Sequence, residues 1–178
     1  KDIRVLLVKI ADRLHNMRTI NSIEKHEKRE RIARETMEVY SPLADRMGMN
    51  RIRDELEDLS FDVLNPSARK LIKDRLDKIK ENNLISFNSV AQEFIKLLNE
   101  NDLKATIYGR EKTPFSLWRK MQSKRISLEQ ITDIMGFRII LEDVSSCYKS
   151  LGIFHNKWNC IPGRFKDYIS SPKINKYQ

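Results

Sequence analysis

The sequence predicts an α+β protein, in which an all-helical first part is followed by a part that mixes strands and helices. Through about the first 100 residues, apolar side chains recur three and four positions apart, which is the period of an amphipathic helix. Near residue 103 the pattern changes to the alternation of apolar and polar residues that is typical of strands. A run of helices followed by strands indicates the α+β class, or α/β if strands and helices alternate regularly.

The helical part is predicted to contain five helices, over residues 3–18, 24–40, 51–63, 67–82 and 87–100. Pro42 lies near the start of the segment after the second helix, and Gly48 interrupts the periodic pattern there. Asn65–Pro66 separates the third helix from the fourth, because proline is favoured at the first position of a helix.

The second part is predicted to contain two strands, over residues 103–108 and 136–142, and two helices, over residues 114–124 and 147–157. Gly109 is expected to end the first strand, and Pro114 is expected to open the helix that follows. Ser145 or Ser146 is expected to cap the last helix. Residues 158–178 are predicted to be strand and loop.

The composition predicts a protein that can fold in water, since 40% of the 178 residues are hydrophobic and 33% are charged. No apolar run approaches the ~18 residues of a membrane span, and no secretory signal follows the first residues. The two cysteines are too few for a disulfide framework, which favours a reduced, cytoplasmic protein. Because Lys1 enters a helical pattern at once, we expect the chain to be cut from a longer one.

The net charge of +9 indicates an anionic partner, either a phosphorylated small molecule, a nucleic acid or a membrane surface. The unbalanced positive charge falls mainly within residues 110–125 and 164–176. Two local clusters favour a phosphate site over the long basic stripe of a nucleic-acid-binding protein.

Four groups of residues could carry chemistry, and the first three are the following. On the first helix, Asp12, Asn16 and Thr19 share one face, where a carboxylate could bind a divalent metal or the polar stripe could be merely solvated. Asp133 stands before an apolar strand, where it could hold Mg²⁺ or simply cap a turn or pair with an arginine. The terminal stretch from residue 164 to 178 is basic and carries tyrosines that could stack on a base.

A basic cluster follows the first predicted strand, with Arg110 and Lys112 at the strand end and Ser116 and Lys120 four residues apart on the next helix. A strand end that leads into a helix is a common phosphate site, because free backbone N–H groups point outward there. The GxxxxGK[ST] pattern of a Walker loop is absent. The alternative interpretation is a basic, solvated helix.

Five segments occur in order: KIADRLHNMRT (9–19), YSPLADRMGMNRIRDELEDLSF (40–61), GREKTPFSLWRKM (109–121), ITDIMGFRII (131–140) and RFKDYISSPKINKYQ (164–178). Together they resemble the RelA/SpoT family of (p)ppGpp synthetases and hydrolases over nearly the whole chain. The resemblance implies three regions: the end of an HD hydrolase domain (1–40), a helical linker (41–82) and a truncated synthetase domain (83–178). The last would be an incomplete mixed-sheet domain of the nucleotidyltransferase type.

The synthetase motifs imply the transfer of pyrophosphate from ATP to the 3′-hydroxyl of GDP or GTP. The matching residues that would hold the ATP phosphates are Arg110, Lys112, Ser116 and Lys120, and Asp133 matches the Mg²⁺ ligand. The basic residues around the donor and acceptor phosphates are matched by Arg164, Lys166 and Lys173. Guanine is expected to stack on Tyr177, with Asn175 beside it. Asp133, Lys166 and Arg164 are therefore the candidate catalytic residues.

The hydrolase segment implies Mn²⁺-dependent removal of the 3′-pyrophosphate of (p)ppGpp. Asp12 matches a Mn²⁺ ligand, and Asn16 and Thr19 match residues near the bound guanosine nucleotide. The RFKD string that begins at Arg164 is the basic version found in bifunctional members.

The family's HD pair is expected upstream of Lys1 and its catalytic glutamate downstream of Gln178, so we expect this chain alone to be inactive. Lys176 stands where the family usually has glycine, and Glu111 stands where it usually has proline. Two alternatives remain open. One is a non-catalytic nucleotide-binding fragment that complements a second polypeptide or the missing C-terminal part, and the other is a basic nucleic-acid-binding module.

Overall fold

A computed structural model describes residues 2–83, 87–131 and 133–174, and the α+β class is confirmed. The helices in these ranges are α1 (Ile3–Arg18), α2 (His26–Glu35), α3 (Ser41–Arg46), α4 (Asn50–Leu64), α5 (Pro66–Asn83), α6 (Phe87–Asn99), α7 (Pro114–Lys124) and α8 (Val144–Lys157). The strands are β1 (Thr106–Glu111) and β2 (Met135–Ile140). No helix of the described ranges combines the length and apolar character needed to cross a bilayer.

The helical part largely follows the predicted pattern. The helix predicted over residues 24–40 is α2, which continues through a π-helical turn (Thr36–Tyr40) into α3. Pro42 lies in the first turn of α3 and has no N–H to donate, whereas the Ser41 N–H before it donates to the Thr36 carbonyl of the π-helical turn. Gly48 has a φ angle of +72°, a left-handed conformation that glycine adopts without strain, and it ends α3 as predicted.

The first strand is displaced from its prediction, because it begins at Thr106 rather than Leu103. Leu103 belongs to the end of α6: its N–H donates to the Leu98 carbonyl at 2.9 Å, and Asp102 before it is left-handed. The buried Leu103 side chain is thus the hydrophobic residue that often follows a helix end. Its place in the alternation of apolar and polar residues made it resemble the start of a strand. Gly109 lies inside the strand and does not end it, contrary to the prediction.

Two further predictions about the second part are wrong. The cap of α8 is Asp143, whose Oδ1 accepts from the Ser146 N–H at 2.6 Å, and neither Ser145 nor Ser146 has this role. Residues 158–174 contain turns and no strand. Aspartate is as good a cap as serine, so the sequence pattern alone did not identify the cap.

The two strands form an antiparallel pair. The Lys112 N–H donates to the Ile134 carbonyl at 3.0 Å, and the Arg110 carbonyl lies across from Gly136. From the first pair to the second, the residue number falls from 112 to 110 on one side and rises from 134 to 136 on the other, so the strands run in opposite directions. This register brings the residue after β1 next to the residues that precede β2.

The chain divides into two compact units, a first unit of residues 1–84 and 111–134 and a second unit of residues 85–110 and 135–178. The first unit has a core around Phe61 of α4, whose ring lies 5.5 Å from that of Phe115 and 5.2 Å from that of Trp118, between ring centroids. The second unit has an aromatic cluster in which Phe94 lies 5.0 Å from the ring centroids of both Phe137 and Phe154. In the first unit, α7 is therefore packed directly on α4.

Candidate functional site

Helix α7 begins where it was predicted, and its first turn is capped from within. Thr113 is extended, and its side chain accepts from the Ser116 N–H at 3.3 Å, which is the usual role of an N-cap residue. Pro114 occupies the first helical position, where its missing N–H has no cost. The Ser116 hydroxyl donates to the Thr113 carbonyl at 2.8 Å, so its proton is already used inside this turn.

The prediction of free backbone N–H groups at this helix start is wrong. The Phe115 N–H donates to Asp58 Oδ1 of α4 at 3.3 Å, and the Leu117 N–H donates to the Thr113 carbonyl at 3.1 Å. Since Pro114 has no N–H and Ser116 is capped by Thr113, the first turn of α7 offers no unused donor. A phosphate at this place would have to be held by side chains.

The side chains of Lys112, Lys120 and Asp133 converge, which we call the Asp133 site. One carboxylate oxygen of Asp133 accepts from Lys112 Nζ, and the other accepts from Lys120 Nζ. Lys112 follows β1 directly, Lys120 lies in the middle of α7, and Asp133 precedes β2. Backbone pairing places Lys112 beside Asp133, which lies 21 residues further along the chain. Helix α7 places Lys120 there as well, 13 residues before Asp133.

The two ammonium groups control the charge of this carboxylate. Partial burial acts to raise the pKa of Asp133, but the hydrogen bonds from Lys112 and Lys120 outweigh it and lower the pKa from 3.8 to about 2. Asp133 is therefore ionised at neutral pH. The side chain remains 46% exposed, so the site is open to solutes.

The Asp133 site fits one ligand position of a Mg²⁺ ion. A carboxylate oxygen is the donor that Mg²⁺ prefers, and Mg²⁺ is usually held by one or two carboxylates together with substrate phosphates. The two lysines supply the cations that such phosphates require. The two lysines and one aspartate leave one positive charge uncompensated, so the site can accept a polyanion.

Helix α4 holds α7 through residues that the sequence analysis did not identify. Arg119 of α7 donates to Glu57 at 3.1 Å, and burial of Glu57 raises its pKa although the charge of Arg119 opposes the shift. Asp58 accepts from Arg69 of α5 at 2.7 Å in addition to the Phe115 N–H. The Thr-Pro pair at the start of α7 could have revealed the helix cap from sequence, but no pattern reveals the contact between α4 and α7.

The other predicted phosphate ligands belong to the second unit. Arg110 lies on β1 and is exposed, and the N–H of Arg164 donates to the Ile161 carbonyl at 3.1 Å in an exposed turn. Lys173 Nζ lies 4.5 Å from the centroid of the Tyr168 ring, a cation–π contact. The predictions for Asn175 and Tyr177 concern residues outside the described ranges.

Lys166 lines a pocket of about 370 Å³ in the second unit, between β2, α8 and residues 165–169. The neighbouring Asp167 organises this segment, because it accepts from the Tyr148 hydroxyl at 3.0 Å and from two backbone N–H groups at 2.9 Å. Burial and the hydrogen bond to Asp167 raise the pKa of Tyr148. No local sequence pattern indicates this pair, which joins residues 19 positions apart.

The candidate hydrolase residues lie on one exposed face of α1, as their spacing predicts. Asn16 Nδ2 donates to Asp12 Oδ2 at 3.1 Å, and the Thr19 hydroxyl donates to the His15 carbonyl at 3.0 Å where the helix ends. Across the described ranges, no three His, Cys, Asp or Glu side chains gather as a metal site would require. Asp12 is thus a single potential ligand, and these residues do not form a Mn²⁺ site by themselves.

We predict that Asp133 titrates near pH 2 and that Lys120→Ala raises its pKa toward 3.8. Because folding lowers this pKa, the ion pairs contribute stability above about pH 4, which is lost as the pH falls toward 2. Carboxyl ¹³C NMR titration measures the shift. The control is Lys73→Ala, which removes the same positive charge as Lys120→Ala but from an exposed position, and should leave the pKa of Asp133 unchanged. A pKa near 3.8 for Asp133 in the unsubstituted chain would contradict the observed pairing.

Two models of known protein families match parts of the chain. Residues 109–178 match a family model described as a region found in RelA/SpoT proteins, and residues 1–50 match a model of the HD domain. The first match begins within β1 and includes the whole Asp133 site. The second includes α1 with its exposed polar face.

Similar proteins occur in several bacteria. The chain is 48% identical to the GTP pyrophosphokinase rsh of Brucella melitensis and 43% identical to the guanosine-3′,5′-bis(diphosphate) 3′-pyrophosphohydrolase of Haemophilus influenzae, over 178 residues in each case. It is 45% identical to the GTP pyrophosphokinase of Streptomyces coelicolor over 182 residues. In each comparison all of the chain is covered, but it spans only 24%, 26% and 21% of these relatives. With an HD match, a RelA/SpoT match and similarity along its whole length, the chain belongs to the RelA/SpoT family.

Proposed function

We propose that this chain carries the ATP-phosphate-binding part of a (p)ppGpp synthetase, together with the last helices of a (p)ppGpp hydrolase domain. The convergence of Lys112 and Lys120 on Asp133 is the observation that supports it most strongly. Two ammonium groups on one ionised carboxylate form a preassembled group for a polyphosphate. The names of the relatives, pyrophosphokinase and pyrophosphohydrolase, support the same pair of activities.

In the proposed reaction, pyrophosphate passes from ATP to the 3′-hydroxyl of GDP or GTP. Lys112 and Lys120 hydrogen-bond phosphate oxygens and so neutralise the charge that develops during transfer. Mg²⁺ supplies further neutralisation when it is bound with ATP, and Asp133 is the carboxylate that would hold it. The further contacts that we propose for the phosphates come from Arg110, Ser116, Arg164, Lys166 and Lys173, and those for guanine come from Asn175 and Tyr177.

Asp133 does not serve as the general base in this proposal. A base that removes the proton of a hydroxyl group works best when its pKa lies near the working pH, whereas the pKa of Asp133 is about 2. Its role is therefore electrostatic: it keeps the two lysines in place and offers oxygen ligands.

We propose that Asp12 is one Mn²⁺ ligand of the hydrolase and that Asn16 and Thr19 lie near its guanosine nucleotide. The exposed polar face of α1 supports this assignment, because Asp12 and Asn16 are already hydrogen-bonded to each other. ATP and guanosine nucleotides are cytoplasmic, and we propose that location for the protein.

A nucleic-acid-binding module is disfavoured by the ion pairs of the charged residues. Several cations of the first unit already have carboxylate partners: Arg53 with Asp54, Arg69 with Asp58, and Arg119 with Glu57. These pairs have no excess positive charge for a phosphate backbone, whereas the Asp133 site has two cations for one carboxylate. A non-catalytic nucleotide-binding piece would make the same contacts with ATP as our proposal and differs from it only in chemistry.

We predict that the purified 178-residue chain binds ATP but transfers no pyrophosphate to GDP or GTP. The reason is that the one carboxylate of the Asp133 site is too weak a base at neutral pH. Chromatography of reaction mixtures with labelled ATP measures transfer. Formation of labelled ppGpp or pppGpp by this chain would contradict the prediction.

We predict that Lys120→Ala weakens ATP binding by about tenfold or more, because a hydrogen bond to a charged group contributes about 1.5–3 kcal/mol. Isothermal titration calorimetry with MgATP measures the dissociation constant. Lys73→Ala removes the same charge from an exposed position on α5 and should leave binding within about twofold. Equal losses in both variants, together with a steep dependence on salt and no preference among nucleotides, would indicate a non-specific polyanion site instead.

We predict that Asp133→Asn removes the advantage of MgATP over metal-free ATP. The carboxylate favours the metal complex, whereas in its absence the two lysines keep their attraction for bare phosphates. The measurement is the ratio of the two dissociation constants, with and without Mg²⁺, for the parent and the variant. If the variant loses both affinities equally, Asp133 has a structural role and the proposed metal ligand is wrong.

A further inference from the structure

Two consecutive acidic residues of α4 contact α7 at points one helical turn apart. Asp58 Oδ1 accepts from the Phe115 N–H at 3.3 Å, and Glu57 Oε1 accepts from Arg119 at 3.1 Å. The aromatic core of the first unit lies beside these contacts, through Phe61 one turn further along α4. A polar clamp and an apolar core thus fix the same helix from the same side.

The Asp58 carboxylate is held in one orientation by α5. Arg69 donates to Oδ2 of Asp58 through Nε at 3.1 Å and through Nη2 at 2.7 Å, which leaves Oδ1 for the Phe115 N–H. The same arginine donates to Asp62 at 3.2 Å. Because Asp58 is only 15% exposed, these partners replace water rather than compete with it.

The hydrogen bond to Phe115 completes the start of α7. Its first turn has three other positions: Pro114 has no N–H, and Ser116 and Leu117 donate to the side chain and carbonyl of Thr113. Phe115 is the donor whose partner comes from another helix. A slide or rotation of α7 would break this bond, and it would also carry Lys120 away from Asp133, since both contacts belong to one rigid helix.

We propose that Asp58 is a positioning residue, which caps α7 from outside and thereby holds Lys120 against Asp133. Its effect on ATP binding rests on the function proposed above, but its effect on the Asp133 site does not. Asp58 contacts no reacting group, so its influence passes through the orientation of α7.

The test compares three variants of the 178-residue chain: Asp58→Ala, Asp58→Asn and Asp62→Asn. Asp58→Ala removes the cap, and we expect it to raise the pKa of Asp133 from about 2 toward 3.8 and to weaken MgATP binding about fivefold. Asp58→Asn keeps an oxygen acceptor, and asparagine caps a helix about as well as aspartate, so both values should stay near those of the parent. Asp62→Asn removes the same charge and another Arg69 partner, and it should change neither.

The two readouts separate this proposal from the proposed function. If Asp58→Ala folds and leaves the pKa of Asp133 unchanged, the positioning role is overturned, whatever happens to ATP. If the pKa rises but neither the parent nor any variant binds ATP, the positioning role stands and the proposed function fails. If Asp58→Asn behaves like Asp58→Ala, the charge of Asp58 rather than its cap is responsible, and the proposal is overturned.

A measurement on the unsubstituted chain covers the case in which Asp58→Ala does not fold. The Phe115 amide should exchange with solvent at least about tenfold more slowly than an unprotected amide, because its hydrogen bond must open first. Hydrogen exchange followed by ¹⁵N NMR measures this rate. Exchange of the Phe115 amide at its unprotected rate would remove the contact on which the proposal depends.

Discussion

The carboxylate of Asp133, held between the ammonium groups of Lys112 and Lys120, is the interaction on which the functional interpretation depends. Each of the three residues belongs to a different local structure: the end of a strand, the middle of a helix and the approach to a second strand. The hydrogen bond from the Lys112 N–H to the Ile134 carbonyl brings Lys112 near Asp133, whereas the placement of α7 brings Lys120 there. The site therefore depends both on this backbone pairing and on the helix.

The placement of α7 is decided by α4, through interactions of two kinds. Phe61 packs on Phe115 and Trp118, and burial of these aromatic side chains stabilises the contact between α4 and α7. Such packing is tolerant of small displacements, whereas the hydrogen bonds of Glu57 and Asp58 are directional. The apolar contacts thus hold the helix to the core, and the polar contacts fix its register.

The two regions proposed to act in synthesis and hydrolysis differ in how many functional groups they bring together. The proposed synthetase region has two cations and a carboxylate already assembled, and those cations lower the pKa of the carboxylate. The proposed hydrolase region has Asp12 and Asn16 joined on an open helix face, without further metal ligands among the described residues. The chain spans about a quarter of the length of its relatives, 24% in the Brucella melitensis protein, so the activities of the whole proteins remain proposals for this chain.

The sequence by itself determined the α+β class, the position of α7 and the shared face of Asp12 and Asn16, because these depend on periodicity and on local signals such as proline at a helix start. It misplaced β1 and the cap of α8, since a buried leucine after a helix resembles a strand and both serine and aspartate can cap. Only the tertiary structure decided that Asp133 pairs with Lys112 and Lys120, and that Asp58 caps α7. These contacts join residues between 13 and 57 positions apart, and their formation depends on packing that no local pattern encodes.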